Sequence, residues 1–267
     1  MEVVAIKKDT YPRRLFVVLY LGGILGALAV LPFAFELFGS AISASGPPPD
    51  VPLPLLITIG AVQNLLILAL IVGFGLKLAR RLGLGAPLLE SWLYKKPSQT
   101  TFAQTLKIGL IAGGALGIVL TAALLYLAPI LPNLPFVAAA KIAVWKRLLA
   151  CFYGGLYEEL LTRLLLLSLF GWLLSRGWRK VEVTLSAKHF WVANVFVAVL
   201  FGLGHLPSAS LVMPITPLVV AVALLLNGVA AVTFGYLYWK RGLEASMVAH
   251  FTVDFVLYVI GPVLLKG

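Results

Sequence analysis

Charged residues are scarce in this chain and make up 12% of its 267 amino acids. Soluble globular domains carry roughly 25% charged residues, so this composition excludes an ordinary soluble protein. The chain also has a single cysteine, Cys151, which excludes an intrachain disulfide and a cysteine-based zinc site. Apolar residues account for 61% of the sequence, and this excess predicts a protein that is embedded in a membrane.

Long apolar runs, separated by proline-rich breakers, follow one another along the chain. A membrane-spanning helix needs about 20 apolar residues, and the longest run could hold a helical hairpin or a steeply tilted helix. The pattern predicts an all-α fold, a polytopic membrane helical bundle with about seven to eight transmembrane helices, forming a single membrane domain over 1–267. The candidate spans are 15–38, 54–76, 106–128, 137–174, 190–205, 217–239 and 245–264.

The formal net charge of +11 does not indicate a nucleic-acid partner. The basic residues cluster at the ends of apolar runs, which is typical of cytoplasmic loops beside anionic lipid. With a cytoplasmic N-terminus, 16 of the 21 lysines and arginines fall on the cytoplasmic side, so we expect that orientation. These residues are Lys7, Lys8, Arg13, Arg14, Lys77, Arg80, Arg81, Lys95, Lys96, Lys107, Arg176, Arg179, Lys180, Lys188, Lys240 and Arg241.

Six ionisable residues interrupt the apolar runs in the second half of the chain: Glu158, Glu159, Arg163, His205, His250 and Asp254. Charged groups inside a bilayer are costly and mark functional sites by default. Glu159 and Arg163 are four residues apart and can form an ion pair on one helix face. That pair alone could be purely structural. Glu158 has no such local partner, so its presence together with two histidines predicts a shared hydrated cavity.

A carboxylate in such a cavity can act as a general base for water. A neutral imidazole can hold that water or stabilise an oxyanion. The pattern therefore indicates a hydrolase. Zinc held by Glu158, His205 and His250 is an alternative, although the sequence lacks an H-E-x-x-H motif, so we expect no cofactor. The sequence has no G-x-S-x-G motif that would indicate a serine triad. A nucleophilic Cys151 is a further alternative, which its apolar surroundings disfavour.

Three segments carry these residues: "EELLTR" (158–163), "FGLGH" (201–205) and "HFTVD" (250–254). They are similar, in that order, to the motifs E-E-x-x-x-R, F-x-x-x-H and H-x-x-x-N/D of the CPBP family, which comprises type II CAAX prenyl endopeptidases and Abi-type membrane proteins. The resemblance implies an intramembrane glutamate-dependent endopeptidase with a cavity open to the cytosolic side. It also implies that 1–136 supplies N-terminal helices and 137–264 the catalytic-core helices.

The resemblance assigns a role to each motif residue. Glu158 would activate water with help from His205, while His250 and residue 254 would stabilise the oxyanion. The supporting residues would be Glu159, Arg163 and Phe201. The prenyl proteases resemble one another in having asparagine at the last motif position, which donates a hydrogen bond, whereas an ionised Asp254 does not. Asp254 would therefore carry a proton or would orient His250.

The expected substrate is a hydrophobic or prenylated C-terminal peptide or protein. Two other functions use the same residues. A transporter or proton relay would also need buried carboxylates, but it usually shows paired repeats in both halves of the chain. A non-catalytic Abi-type membrane scaffold would need no reactive carboxylate at all.

Overall fold

The computed structural model describes residues 12–46, 52–95, 97–98, 100–176 and 185–265. Within these ranges the chain is helical and has no β-strand, which confirms the predicted all-α class. The helices are α1 (Arg13–Ala29), α2 (Leu31–Ser45), α3 (Leu53–Arg81), α4 (Pro87–Tyr94), α5 (Phe102–Leu127), α6 (Pro135–Ala139), α7 (Val144–Phe152), α8 (Ser168–Leu174), α9 (Ala187–Gly204), α10 (Leu206–Ser210), α11 (Pro217–Arg241) and α12 (Leu243–Asp254).

Six helical stretches in the described part of the chain are long and apolar enough to cross a membrane: Arg13–Ser40, Pro54–Arg81, Phe102–Leu127, Ala187–Ser210, Pro217–Arg241 and Leu243–Val263. The long run predicted at 137–174 forms α6 and then a continuous helix over 144–174, which we call the motif helix. It consists of α7, two π-helical segments and α8. The fold class is confirmed, whereas the count of seven to eight spans stays a prediction.

The surface and the interior of the bundle are both apolar, as expected for a protein surrounded by lipid. Large aliphatic side chains point outward, for example Ile118 at 65% exposure. A tightly packed cluster that includes Leu76, Leu164 and Phe190, each fully buried, lies in the interior. Lipid does not drive apolar surfaces together as water does, so close packing and polar contacts must hold these helices in place.

Helix α5 packs against α12 through glycines at every fourth position. Small residues let two helix backbones approach closely in a membrane. A Cβ atom added at any of the three glycines would meet the neighbouring helix, and the progressive order of contacts shows that α5 and α12 run parallel. Gly109, Gly113 and Gly117 face, in that order, Val248, Thr252 and Val256.

Substituting the middle glycine is expected to destabilise the bundle. A Cβ at Gly113 would lie 2.7 Å from the Thr252 Cβ and would collide with the Ala249 carbonyl oxygen. We expect Gly113→Ala to cost about 1–3 kcal/mol, the usual range for overpacking. Gly114 has nothing within 4 Å of the same position, so Gly114→Ala is the matched control and should melt at or slightly above the wild-type temperature. Equal melting temperatures in detergent would contradict this packing.

One end of the bundle gathers the start of α1, helix α4 and the start of α12. The Leu15 amide donates to the Tyr94 hydroxyl over 3.1 Å, and the Leu243 amide donates to the Gly85 carbonyl over 3.0 Å. We call this the basic end, because most of the described lysines and arginines lie on the helix ends and connections that meet there. They are Arg13, Arg14, Lys77, Arg80, Arg81, Lys95, Lys107, Arg176, Lys188, Lys240 and Arg241.

The opposite end holds the connection 128–143, which follows α5, and the connection 211–216, which precedes α11. It carries three of the described basic residues, Lys141, Lys146 and Arg147. The bundle is therefore strongly asymmetric in cationic charge. Of the basic residues used to predict orientation, Lys7, Lys8, Lys96, Arg179 and Lys180 lie outside the described residues.

Candidate active site

The candidate residues come from three separate segments that meet inside the bundle. Glu158 and Glu159 lie where the two π-helical segments of the motif helix, Tyr153–Glu158 and Leu160–Leu167, join. π-helical turns are rare and occur often at functional sites. His205 directly follows α9, and α12 carries His250 with Asp254 at its last residue. The structure thus brings all the sequence-predicted positions into one region.

Glu159 is the centre of a fully buried polar cluster. Its Oε1 atom lies 3.0 Å from Arg163 Nη1 and 2.7 Å from His250 Nδ1. Its Oε2 atom accepts a hydrogen bond from the Ser246 hydroxyl. The predicted ion pair between Glu159 and Arg163 is therefore present, with the two side chains 0% and 1% exposed. Because every oxygen of Glu159 is occupied, this carboxylate fixes its neighbours and does not face the cavity described below.

Arg163 contacts several protein groups besides Glu159. Its Nη2 donates to the Ala231 carbonyl over 3.0 Å and its Nη1 contacts the Thr162 hydroxyl. The guanidinium carbon lies 5.3 Å from the Phe201 ring centre and 5.2 Å from the Phe234 ring centre. Such cation–π contacts favour a desolvated cation. Phe201, predicted as a supporting residue, thus contacts both Arg163 and the His205 ring, whose centre is 4.6 Å away.

Glu158 points away from this cluster into a cavity of about 270 Å³. His205, His250 and Asp254 line the same cavity. Glu158 Oε2 lies 3.5 Å from His250 Nε2, and Asp254 Oδ2 lies 3.8 Å from the same nitrogen. Glu158 and His205 share the cavity wall but, within the described chain, make no direct hydrogen bond.

Both histidines present the same ring nitrogen for chemistry. Glu159 is an acceptor when ionised, so the His250 Nδ1 atom beside it must carry hydrogen. The His205 Nδ1 atom lies 2.8 Å from the Phe201 carbonyl oxygen and must also donate. Each ring therefore has Nε2 available, as a lone pair in the neutral ring or as N–H in the doubly protonated ring.

The group that orients His250 is Glu159, since Asp254 is beyond hydrogen-bonding distance of Nε2. Asp254 instead lies on the cavity wall beside Gly154, where an added Cβ would collide with the Asp254 carboxyl group and lie 2.9 Å from His250 Nε2. A glycine at this position of the motif helix is therefore required for the close approach of α12.

Two contact residues were missed by the sequence reasoning. Ser246 donates to Glu159 and, over 2.9 Å, to the Phe234 carbonyl, and it lies four residues before His250 on the same helix face. That spacing was a usable signal. Phe234 stacks on the His250 ring, with centres 4.5 Å apart. It belongs to a different helix, and no spacing rule links the two.

The cysteine and zinc alternatives find limited geometric support. Cys151 is fully buried, and its thiol donates to the Arg147 carbonyl over 3.3 Å. Among the described residues, no three histidine, cysteine, aspartate or glutamate side chains are grouped closely enough to hold a metal ion. The suggested ligands Glu158, His205 and His250 line one cavity without forming such a group.

The apolar helices define the broad class, an integral membrane protein. Residues 139–256 match the family model described as type II CAAX prenyl endopeptidase Rce1-like. This match confirms the resemblance to the CPBP family over just under half of the chain and indicates a membrane protease. No curated protein and no solved structure matches the chain.

Proposed function

We propose that this protein is an intramembrane endopeptidase in which Glu158 activates a water molecule to cleave a lipidated or hydrophobic peptide. The observation that carries the proposal is the convergence of Glu158, His205, His250 and Asp254, from three segments, on one cavity within the bundle. A purely structural ion pair requires neither Glu158, His205 nor Asp254, because Glu159 is already held by Arg163, Ser246 and His250.

In the proposed reaction, Glu158 accepts a proton from water as the water oxygen bonds to the scissile carbonyl carbon. The His205 Nε2 lone pair accepts a hydrogen bond from the other O–H group of that water, which keeps its hydrogen, and this contact fixes the direction of the water. The carbonyl electrons move to oxygen, and the oxyanion then collapses with cleavage of the C–N bond. Glu158 returns its proton to the leaving nitrogen.

The oxyanion needs hydrogen-bond donors. His250 supplies one at Nε2 when its ring is doubly protonated, and Asp254 supplies one when it carries a proton. Glu159 and Arg163 are positioning residues in this scheme, since Glu159 holds His250 through Nδ1 and Arg163 holds Glu159 through their ion pair. No cofactor is needed for these steps, and zinc remains the alternative that the test below separates.

The rest of the cavity wall suits an apolar substrate. It is formed by aromatic and aliphatic side chains such as Phe33, Leu120, Met213 and Leu226. The lipid chain or hydrophobic segment of a substrate would contact these side chains while the scissile peptide bond of the substrate lay beside Glu158. We therefore propose a hydrophobic or prenylated C-terminal peptide as the substrate class.

The test is cleavage of a peptide panel by the purified protein in detergent, with farnesylated peptides and the same sequences without the lipid. We expect cleavage of at least the farnesylated peptides and no effect of a chelator. Activity lost on chelation and restored by zinc would replace the glutamate mechanism with the zinc alternative. No cleavage of any peptide, together with proton-coupled flux in liposomes that depends on Glu158, would replace the peptidase with a transporter.

A further inference from the structure

We propose that the catalytic cavity opens on the extracytoplasmic face of the membrane, so that the substrates are exported hydrophobic or lipidated peptide segments. The statement about substrates rests on the proposed function, whereas the side on which the cavity opens is supported by independent observations. Two features carry it: where the cavity lies along the bundle, and which end of the bundle carries the cations.

The cavity extends toward the end opposite the basic end. Its wall includes Leu134 and Phe136 from the connection 128–143, and Met213 from the connection 211–216. It also includes Leu37, from the far part of α2. These residues lie at or near the end opposite the basic end, so the cavity extends from Glu158 toward that side of the bundle.

The route from the basic end is closed by packing. Between Glu158 and the basic end lies the buried apolar cluster already described, which includes Leu76, Leu164 and Phe190 at 0% exposure and Tyr238 at 1%. Leu164 is six residues beyond Glu158 on the motif helix, so this buried cluster begins within about two helical turns of the carboxylate. A peptide arriving from the basic end would have to displace this core.

The distribution of cations identifies the basic end as cytoplasmic. The positive-inside rule counts lysines and arginines near the membrane, and the basic end holds most of those that the structure describes. At the opposite end, Lys146 is paired with Glu36 and Arg147 is buried, with its Nη1 donating to the Tyr258 carbonyl over 2.7 Å. The exceptions to the rule are thus partly explained by local partners.

The structure makes two expectations incompatible: a cytoplasmic N-terminus, predicted from the charges, and a cavity open to the cytosol, implied by the family resemblance. Arg14 lies at the basic end, where its Nη1 atom is 3.5 Å from the Leu93 carbonyl oxygen, whereas the cavity extends to the other end. One expectation must fail, and the charge count favours retaining the first. A prenylated C-terminus presented from the cytosol would then face the buried apolar cluster and not the cavity.

Cysteine labelling decides the side without reference to activity. The native Cys151 is fully buried, so the wild-type protein gives the background level of labelling. Asn133→Cys places a thiol on the exposed opposite end, Ser208→Cys places one on the cavity wall, and Ala187→Cys places one on the exposed basic end. Each variant is expressed in a bacterium and treated with a charged maleimide in right-side-out and in inside-out vesicles.

We expect Asn133→Cys and Ser208→Cys to label about tenfold faster in right-side-out vesicles, and Ala187→Cys about tenfold faster in inside-out vesicles, because a charged reagent does not cross the hydrocarbon core. The reverse pattern would overturn the proposal. The proposal would also be overturned if Ser208→Cys showed the vesicle preference of Ala187→Cys and not that of Asn133→Cys, because the cavity would then open at the basic end.

A cleavage assay in the same vesicles separates this inference from the proposed function. With a membrane-impermeant peptide that the detergent-solubilised protein cleaves, we expect turnover in right-side-out vesicles and little in inside-out vesicles. Turnover confined to inside-out vesicles would overturn the inference while leaving the peptidase intact. If no preparation cleaves the peptide, the proposed function fails and the labelling pattern still decides the side.

Discussion

Replacing Glu158 with glutamine is expected to lower kcat for peptide cleavage by about 10²- to 10⁴-fold, the range that a general base contributes. The amide has the shape of the carboxylate but cannot accept the proton of the attacking water. Because the substitution leaves the apolar cavity wall unchanged, we expect KM to change little. The measurement is a steady-state cleavage assay with a farnesylated reporter peptide.

His205→Ala should also lower kcat, because the Nε2 atom that directs the water is removed while the Phe201 carbonyl stays in place. Glu90→Gln is the matched control, since Glu90 is a carboxylate of α4 at the basic end, far from the cavity. It should retain wild-type turnover. Both active-site variants must elute and melt as wild type does. Full turnover in Glu158→Gln and in His205→Ala would contradict the glutamate mechanism.

The fold class and the buried pair were accessible from the sequence for simple reasons. Apolar runs of sufficient length leave few structures other than membrane helices. The Glu159–Arg163 pair follows from helix periodicity, and the π-helical turns around it do not separate two residues that are four apart. A local rule was sufficient for this pair because both partners lie on one helix.

The rest of the site depends on contacts between helices that no spacing rule predicts. The ring of Phe234 lies against His250 because α11 packs beside α12, and the parallel packing of α5 on α12 depends on which glycines face inward. The orienting partner of His250 was likewise beyond reach from the sequence. Asp254 lies four residues further along α12 and is 3.8 Å from Nε2, whereas Glu159 from the motif helix lies 2.7 Å from Nδ1 and accepts its hydrogen bond.

The two adjacent glutamates have opposite surroundings, and this is the physical basis of their different roles. Side chains of consecutive helical residues point in different directions, so Glu159 is held by Arg163, His250 and Ser246 while Glu158 faces the cavity. A buried carboxylate with every oxygen satisfied is inert as a base, because its lone pairs are already engaged. The same residue type one position earlier keeps an oxygen available for water.

Glu159→Ala is therefore expected to destabilise the protein far more than Glu158→Ala. Removing Glu159 leaves the Arg163 guanidinium buried without its counter-charge and the His250 Nδ1 hydrogen without an acceptor. Breaking one partner of a buried ion pair costs about 3–5 kcal/mol. Glu158 lies on a cavity wall, so its removal uncovers no buried charge. The measurement is the melting temperature of both variants in the same detergent.

A double substitution distinguishes an uncompensated charge from a simple loss of packing. Glu159→Leu combined with Arg163→Met removes both charges, so it should be less destabilising than the sum of the two single substitutions. It should still abolish cleavage, because His250 loses the acceptor that holds its Nδ1 hydrogen. If Glu159→Ala and Glu158→Ala melted alike, the buried cluster would not be the element that holds the motif helix and α12 together, and the positioning role of Glu159 would have to be abandoned.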